Sequence, residues 1–510
     1  MKIKATGTLA VGKILKNAAI RHREKEAVYC VHTGRRFTYL ELNERTNRLA
    51  NGIMDLGLKK GDDIAFLMTN RCETVEAYFA IAKTGIVGFP LNYRLLEKEI
   101  VQLMLLGDVK VFIFEDIFTQ VAEYVRRQIP GVKTYIGIGK EIPEFAIDYE
   151  KFLSNSSPGE PDVEIRDEDA HYMNLTSGTT GLPKAYILTH YHSGSAFIGN
   201  YILADDIVMT VFPMHGRTGW AWTSFSVLSG AKHVIMNFEP KKTLEVIQSE
   251  KVTMTCLVPA MANFLMSFPE FDKYDLSSLR LVSFAGAPFP IALQEQVRKR
   301  MTDNISEFYG MQECGGLVEV GIEEKKKKPA SQGKIVSMAE VRIVDASGND
   351  VPTGTIGEII GKTPYGISSY YKNEEQTKNT FKNGWCHTGD LGYFDEEGYL
   401  YLSGRVKDMI VTGGQNVFSA EVENVLISHP AVADCTVIGL PDKKWGEAIT
   451  AVLVRKSGVK VTEDDIIAFC KKEMAGFKVP KRIIWYEGDI PRNPNGKVTK
   501  YVLIERYSKQ

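Results

Sequence analysis

The sequence predicts an α/β protein: a large N-terminal domain of mixed sheets flanked by helices, carrying a β-rich subdomain, and a small α+β domain at its C-terminal end. Three features of the 510 residues predict it. Apolar, strand-like runs alternate with helix-period segments early in the chain, strand–turn–strand texture takes over after about residue 340, and both textures mix beyond Arg405. The length is too great for one hydrophobic core and suits two or three domains.

The elements follow in chain order. Thr38 and Glu41 stand in capping-box spacing, and Leu42, Leu49, Ile53 and Leu56 recur near the helical period up to Gly57, so 38–57 reads as a helix. Residues 64–68 form a short apolar strand, 74–83 a helix, and 86–91, 110–114 and 134–138 further apolar runs. Such alternation is how a mostly parallel sheet covered on both faces reads. VRIVDASGNDVPTGTIGEIIG (341–361) and LGYFDEEGYLYLSGR (391–405), the latter turning at Glu397-Gly398, predict antiparallel sheet. Beyond them Ser419 is placed to cap a helix reaching Ile427, strands are expected near 432–438 and 448–454, and Thr462 with Asp465 opens another helix. The boundary falls at about 405–409, giving domains 1–406 and 407–510. No internal repeat is visible, and EEKKKK at 323–328 reads as a solvated loop.

Composition excludes several classes. Hydrophobic content of 44% and charged content of 25% are those of an ordinary globular protein, and a net charge of −1 lacks the basic footprint of nucleic-acid binding. Seven scattered cysteines without a CxxC pair suit reduced thiols in a cytoplasmic protein. The first residues show no apolar core followed by a cleavage site, so no signal peptide is read; no run of about 18 apolar residues predicts a membrane span.

TSGTTGLPKAYILTH (176–190) alternates small hydroxyl residues with glycines and then places Pro183 and Lys184. Exposed backbone N–H groups, hydroxyls and one cation suit a phosphate, although the spacing is not that of the GxxxxGK[ST] loop, and a surface turn could carry the same residues. Four further stretches stand behind it: EFYGMQECGG (307–316), WCHTGDLGYF (385–394), LSGRVKDMIVTGGQN (402–416) and IPRNPNGKVTK (490–500).

Together, and in this order, the five stretches resemble those of the adenylate-forming superfamily, which holds acyl- and aryl-CoA ligases, luciferase and peptide-synthetase adenylation domains; the likeness runs from about residue 15 to 505. The resemblance implies that the small domain is a lid. It also implies a reaction in two halves: carboxylate plus ATP gives acyl-AMP and pyrophosphate, and CoA then attacks to give acyl-CoA and AMP. Because that chemistry brings anions together, the site must screen charge. Thr176, Ser177, Gly178, Thr179, Thr180, Gly181 and Lys184 would surround the phosphates, and Glu313, with Thr176 as a second contact, would hold Mg2+ as a hard oxygen ligand. Gly286, Ala287 and Pro288 with Glu307, Phe308, Tyr309, Gly310, Met311 and Gln312 would frame the nucleotide, Tyr309 stacking on adenine. Asp390 would accept from the ribose hydroxyls, with Arg405 and Leu402 nearby, and Lys497 would bridge the substrate carboxylate and α-phosphate.

For CoA the matching positions are Arg94, Gly413, Gly414, Trp445, Phe477 and Lys481, with Lys407 as the hinge that lets one lid serve both steps. In FPMHGRTGWAWTSFS (212–226) His215 takes the position of a gate between carboxylate and thiol. Trp220, Trp222, Phe225, Phe284 and Gly286 would line an acyl pocket, and Arg217 is expected to face solvent or bond the backbone. Bulky walls favour an aromatic, alicyclic or medium-chain monocarboxylic acid. Two departures are Gln312 in place of the usual threonine and Ala185 in place of a glycine, so the hydroxyl contact to phosphate is replaced by an amide or lost. The readings left beside the CoA ligase are a ligase loading a separate acyl carrier protein, a luciferase-like oxygenase and an inactive binding protein of the same fold; a homodimer is the assembly considered.

Overall fold

The computed structural model describes residues 9–176, 184–197, 201–287, 289–456, 458–492 and 498–508, with Asn416 as backbone only. The expectations for Ser177, Gly178, Thr179, Thr180, Gly181, Pro288 and Lys497, and for the first eight residues read for a leader, lie outside the described residues.

The early alternation builds two largely parallel sheets. The seven-stranded one runs Ile147–Asp148, Thr134–Ile138, Val109–Glu115, Asp63–Leu67, Val87–Pro90, Ala170–Leu175 and Ala185–Thr189, with only the last pairing antiparallel. Its central strands are apolar on both faces because helices cover both, such as Cys72–Thr84, every residue of which is buried. The nine-stranded sheet has a parallel centre of Ile305–Met311, Leu281–Phe284, Met254–Leu257, Ile207–Thr210, Lys232–Ile235 and Glu26–Cys30. Antiparallel strands close its edges: Arg35–Thr38 on one side, Gly315–Val320 and Lys334–Ile335 on the other. The capping box is present at the helix Tyr39–Asp55, where Thr38 accepts from the Glu41 amide and Glu41 accepts from the Thr38 amide.

The change of texture after residue 340 is an antiparallel sheet of Glu340–Val344, Gly357–Lys362, Phe381–Lys382, Trp385–Phe394 and Leu400–Arg405. From Met409–Thr412 onward the strands pair among themselves: Gln415–Phe418, Met409–Thr412, Gly446–Arg455, Val432–Asp442 and Arg482–Trp485. The short turn of 3-10 helix Val406–Asp408 lies between the two groups. Among the described residues no helix is long and apolar enough to cross a membrane, and all seven cysteines are free thiols.

Two local expectations are corrected. The charge run is not a solvated loop: Ile322–Lys327 is helical, and Lys325, 1% exposed, lies 2.5 Å from Glu307 with a second bond to the Ser331 carbonyl. Ser419 is the first helical residue of Ser419–Ser428 and not its cap; its hydroxyl accepts from Lys500 instead, at 2.7 Å.

Candidate active site

The strand Ile305–Met311 carries the site's spine. At its end Gly310 must be glycine, because a Cβ there would stand 2.0 Å from the Gly315 carbonyl oxygen across the tight hairpin. Tyr309 projects toward the antiparallel sheet, where its hydroxyl donates to Asp390 Oδ2 at 2.8 Å. Asp390 and Arg405 are direct cross-strand partners, so the ladder register itself sets Arg405 Nε 3.0 Å from Asp390 Oδ1. Both carboxylate oxygens are engaged, and each keeps a lone pair for a further donor. The turn before Asp390 is fixed too: Glu358 accepts from the Gly389 amide at 3.1 Å and pairs with His387 at 2.8 Å.

A second group forms where the chain leaves the sheet after Leu175 and re-enters it at Ala185. The Thr176 amide donates to the Lys184 carbonyl at 2.9 Å, drawing the loop's ends together. The Lys184 ammonium lies 4.8 Å above the ring of Tyr370, whose hydroxyl donates to Glu313 Oε1 at 2.6 Å. Burial, followed by the charge of Glu313, pushes the Tyr370 phenol upward, so it stays a donor. Gln312 is held from two sides: Tyr186 donates to its Oε1 at 2.7 Å, and Arg217 donates to its backbone oxygen and to that of Tyr365. Arg217 thus bonds the backbone, one of its two expected fates.

Glu307 points its side chain away from solvent. It is 1% exposed and its carboxylate is spent on Lys325. Phe308 and Met311 pack against neighbouring apolar clusters, as does Leu402, while Gly286 adopts φ +83°, 3.5 Å from Val258 Cγ1 at the position a Cβ would take, and precedes Ala287.

The aromatic walls also change place. Trp220 stacks on Tyr78 at 4.4 Å between centroids and touches Phe79 and His171 in the main core. Phe284 stacks on Phe289 at 3.9 Å, and Trp222 packs with Ile202, Val208 and Met254, with Phe225 against the same cluster. Trp220 and Phe284 are core packing, each with a ring face covered by a neighbouring aromatic. His215 is placed differently: its ring meets Tyr93 edge-on at 5.5 Å, and its Nδ1 is buried without a hydrogen-bond partner. Burial, with the charge of Arg94 second, pulls its pKa down to about 3, so the imidazole is neutral at physiological pH.

Of the CoA positions, Gly413, Trp445 and Lys481 come together. The Gly413 amide donates to the Trp445 carbonyl at 2.7 Å, and a Cβ at Gly413 (φ +57°) would press 3.1 Å from the indole. Lys481 and Lys444 stand 5.5 and 4.9 Å from the ring centroid. Gly414 continues the turn, and Lys481 reaches the Gly476 carbonyl, next to the half-exposed Phe477. Arg94 joins the His215 neighbourhood instead. Sequence reasoning missed Tyr186, Tyr370 and Lys325, whose partners Gln312, Glu313 and Glu307 lie 126, 57 and 18 residues away; no local motif marks them.

Residues 15–371 match the family described as AMP-binding enzyme, and 421–497 match the AMP-binding enzyme C-terminal domain. The chain is 34% identical over 506 residues to the long-chain-fatty-acid–CoA ligase FadD13 of Mycobacterium tuberculosis, covering 98% of each. It is 30% identical to the fatty acid–[acyl-carrier-protein] ligase ScoC of Streptomyces coeruleorubidus, covering 94% of this chain and 93% of that one. The crystal structure of the anthranilate CoA ligase AuaEII in complex with anthranoyl-AMP superposes with a TM-score of 0.91 at 26% identity, covering 98% of this chain and 97% of that one. The chain belongs to the adenylate-forming superfamily of AMP-binding enzymes, within its acyl/aryl-CoA ligases, and joins a carboxylic acid to CoA through an acyl-adenylate made from ATP.

Proposed function

We propose that the acid is an aromatic, alicyclic or medium-chain monocarboxylate. The observation that carries this reading is Arg217: both of its arms bond backbone carbonyls, those of Gln312 and Tyr365, so its guanidinium is already engaged and does not stand ready for a second substrate carboxylate. The structural likeness to a ligase of anthranilate supports a ring-sized acid, whereas FadD13 is named for long chains and ScoC for a carrier protein. Thioester formation should be measured with benzoate, cyclohexanecarboxylate, hexanoate, palmitate and succinate. The first three are expected to be preferred; a clear preference for palmitate or succinate overturns the reading, and transfer to a carrier protein but not to CoA would favour the ScoC-like alternative.

In this reading Asp390 and Arg405 hold the ribose, Tyr309 supports the adenine, and Thr176, Lys184 and the loop between them take the phosphates. Glu313 would hold Mg2+. A single buried carboxylate suits an ion that arrives with the nucleotide and keeps phosphate and water ligands, and among the described residues no cluster of three or more His, Cys, Asp or Glu could bind one unaided. Magnesium supplies charge neutralisation on the phosphates; the protein's own task is to hold the two anions in line. Lys497 supplies the cation between carboxylate and α-phosphate. CoA is received by Gly413, Gly414, Trp445, Phe477 and Lys481, with neutral His215 and Arg94 at the thiol's approach. Domains 1–406 and 407–510 rotate about Lys407, a reading supported by the break in strand pairing on either side of Val406–Asp408. A cytoplasmic site accords with seven free thiols. A homodimer completes the reading, with light scattering as its check.

A further inference from the structure

Tyr186 follows the phosphate loop directly, on the strand Ala185–Thr189, and is fully buried. Its phenol has one proton to give, and it gives it to Gln312 Oε1 at 2.7 Å. Arg217 holds the backbone oxygen of the same glutamine. Gln312 is therefore pinned at both of its oxygens. Turning the amide over would set its N–H group against the phenol proton and leave that buried donor unsatisfied. Its Nε2 is held on the side away from Tyr186, on a residue that is itself part-exposed. Gln312 directly precedes Glu313, which Tyr370 links to Lys184, so the open edge of the amide borders the phosphate end of the site.

We propose that Tyr186 is a positioning residue for adenylation: by fixing Gln312 Oε1 it presents the Gln312 amide N–H to the nucleotide's α-phosphate. The proposal rests on the nucleotide site described above. A neutral N–H facing an anion makes a charge-assisted bond, whereas a freely turning amide would present its oxygen to the phosphate part of the time and repel it.

The test is single-turnover pyrophosphate release without CoA, for the wild type, Tyr186→Phe, Gln312→Thr and the double variant. Tyr186→Phe is expected to slow adenylation roughly three- to tenfold, the size of one lost hydrogen bond. In the Gln312→Thr background, where there is no amide to orient, the same change should cost less than about twofold. Equal losses in both backgrounds would make Tyr186 a purely structural residue and overturn the proposal, as would no loss in the wild type. If Tyr186→Phe does not fold, Gln312→Leu decides: it must slow adenylation at least as much, and an unchanged rate overturns the proposal. Asp390→Asn is measured alongside; an unchanged KM for ATP in that variant would overturn the nucleotide site itself, separately from the role of Tyr186.

Discussion

Asp390 is reached from two sheets at once. Tyr309 arrives from the nine-stranded sheet and Arg405 from the adjoining antiparallel strand, and both touch the carboxylate within 3.0 Å. Trp445, in the C-terminal unit, is met by lysine ammonium groups 4.9 and 5.5 Å from its ring centroid and remains 36% exposed. The first arrangement is complete before any ligand arrives, so little reorganisation remains when charge moves. The second offers an open aromatic face, backbone glycines and flexible cations, which suits a long, thin ligand such as pantetheine. Under the roles proposed for these residues, the contrast is between a preorganised nucleotide site and a thiol site that takes form around its ligand.

Lys497→Ala should break the first half most severely, removing on the order of 3–4 kcal/mol of transition-state stabilisation from adenylation. Thioester formation from supplied acyl-adenylate should be much less affected; equal losses in both assays would deny the residue its step-specific role. Asp390→Ala comes next. It strands Arg405 and Tyr309 and should raise the KM for ATP by about 2 kcal/mol, the scale of a charged hydrogen bond, with stability tracked by thermal melting. Trp445→Ala should cost about 1 kcal/mol in KM for CoA and leave CoA-independent pyrophosphate release unchanged. A matching defect in pyrophosphate release would erase the distinction between the two regions.

Acid should sharpen the comparison further, with a smaller effect. His171, His190, His192, His215 and His233 are all held below the ordinary 6.5, burial being the largest cause in each, with His190 and His192 at about 4 and His215 and His233 at about 3. Between those values and 6.5 the unfolded chain binds more protons than the folded one. Stability is therefore full above 6.5 and falls as pH drops below it. All five lie between residues 171 and 233, so the melting transition of the large region should shift down from about pH 7 to about pH 5 more than that of the C-terminal unit. Equal shifts would contradict the assignment.

Much of this was legible because it was local. Thr38 and Glu41 cap their helix as their spacing implies, and the hairpin at Glu397-Gly398 sets Asp390 across from Arg405. What was not legible depends on partners far along the chain. EEKKKK carries no sign that Lys325 alone turns inward, because that is decided by Glu307 on a strand beneath the helix. Trp220 and Phe284 looked like pocket walls because an aromatic's burial is visible in sequence and the direction it faces is not; Tyr78 and Phe289 take those faces. Tyr370 reaches Glu313, and Tyr186 reaches Gln312, across sheets no local pattern connects.

The central claim is that one C-terminal lid serves two half-reactions by turning about Lys407, and Lys407→Pro tests it most directly. Proline fixes φ and removes an N–H, restricting that turn. Pyrophosphate release without CoA and AMP release after adding CoA should be followed in one pre-steady-state experiment. The account predicts a normal first burst followed by severely slowed CoA-dependent release. Full turnover through both phases would contradict it.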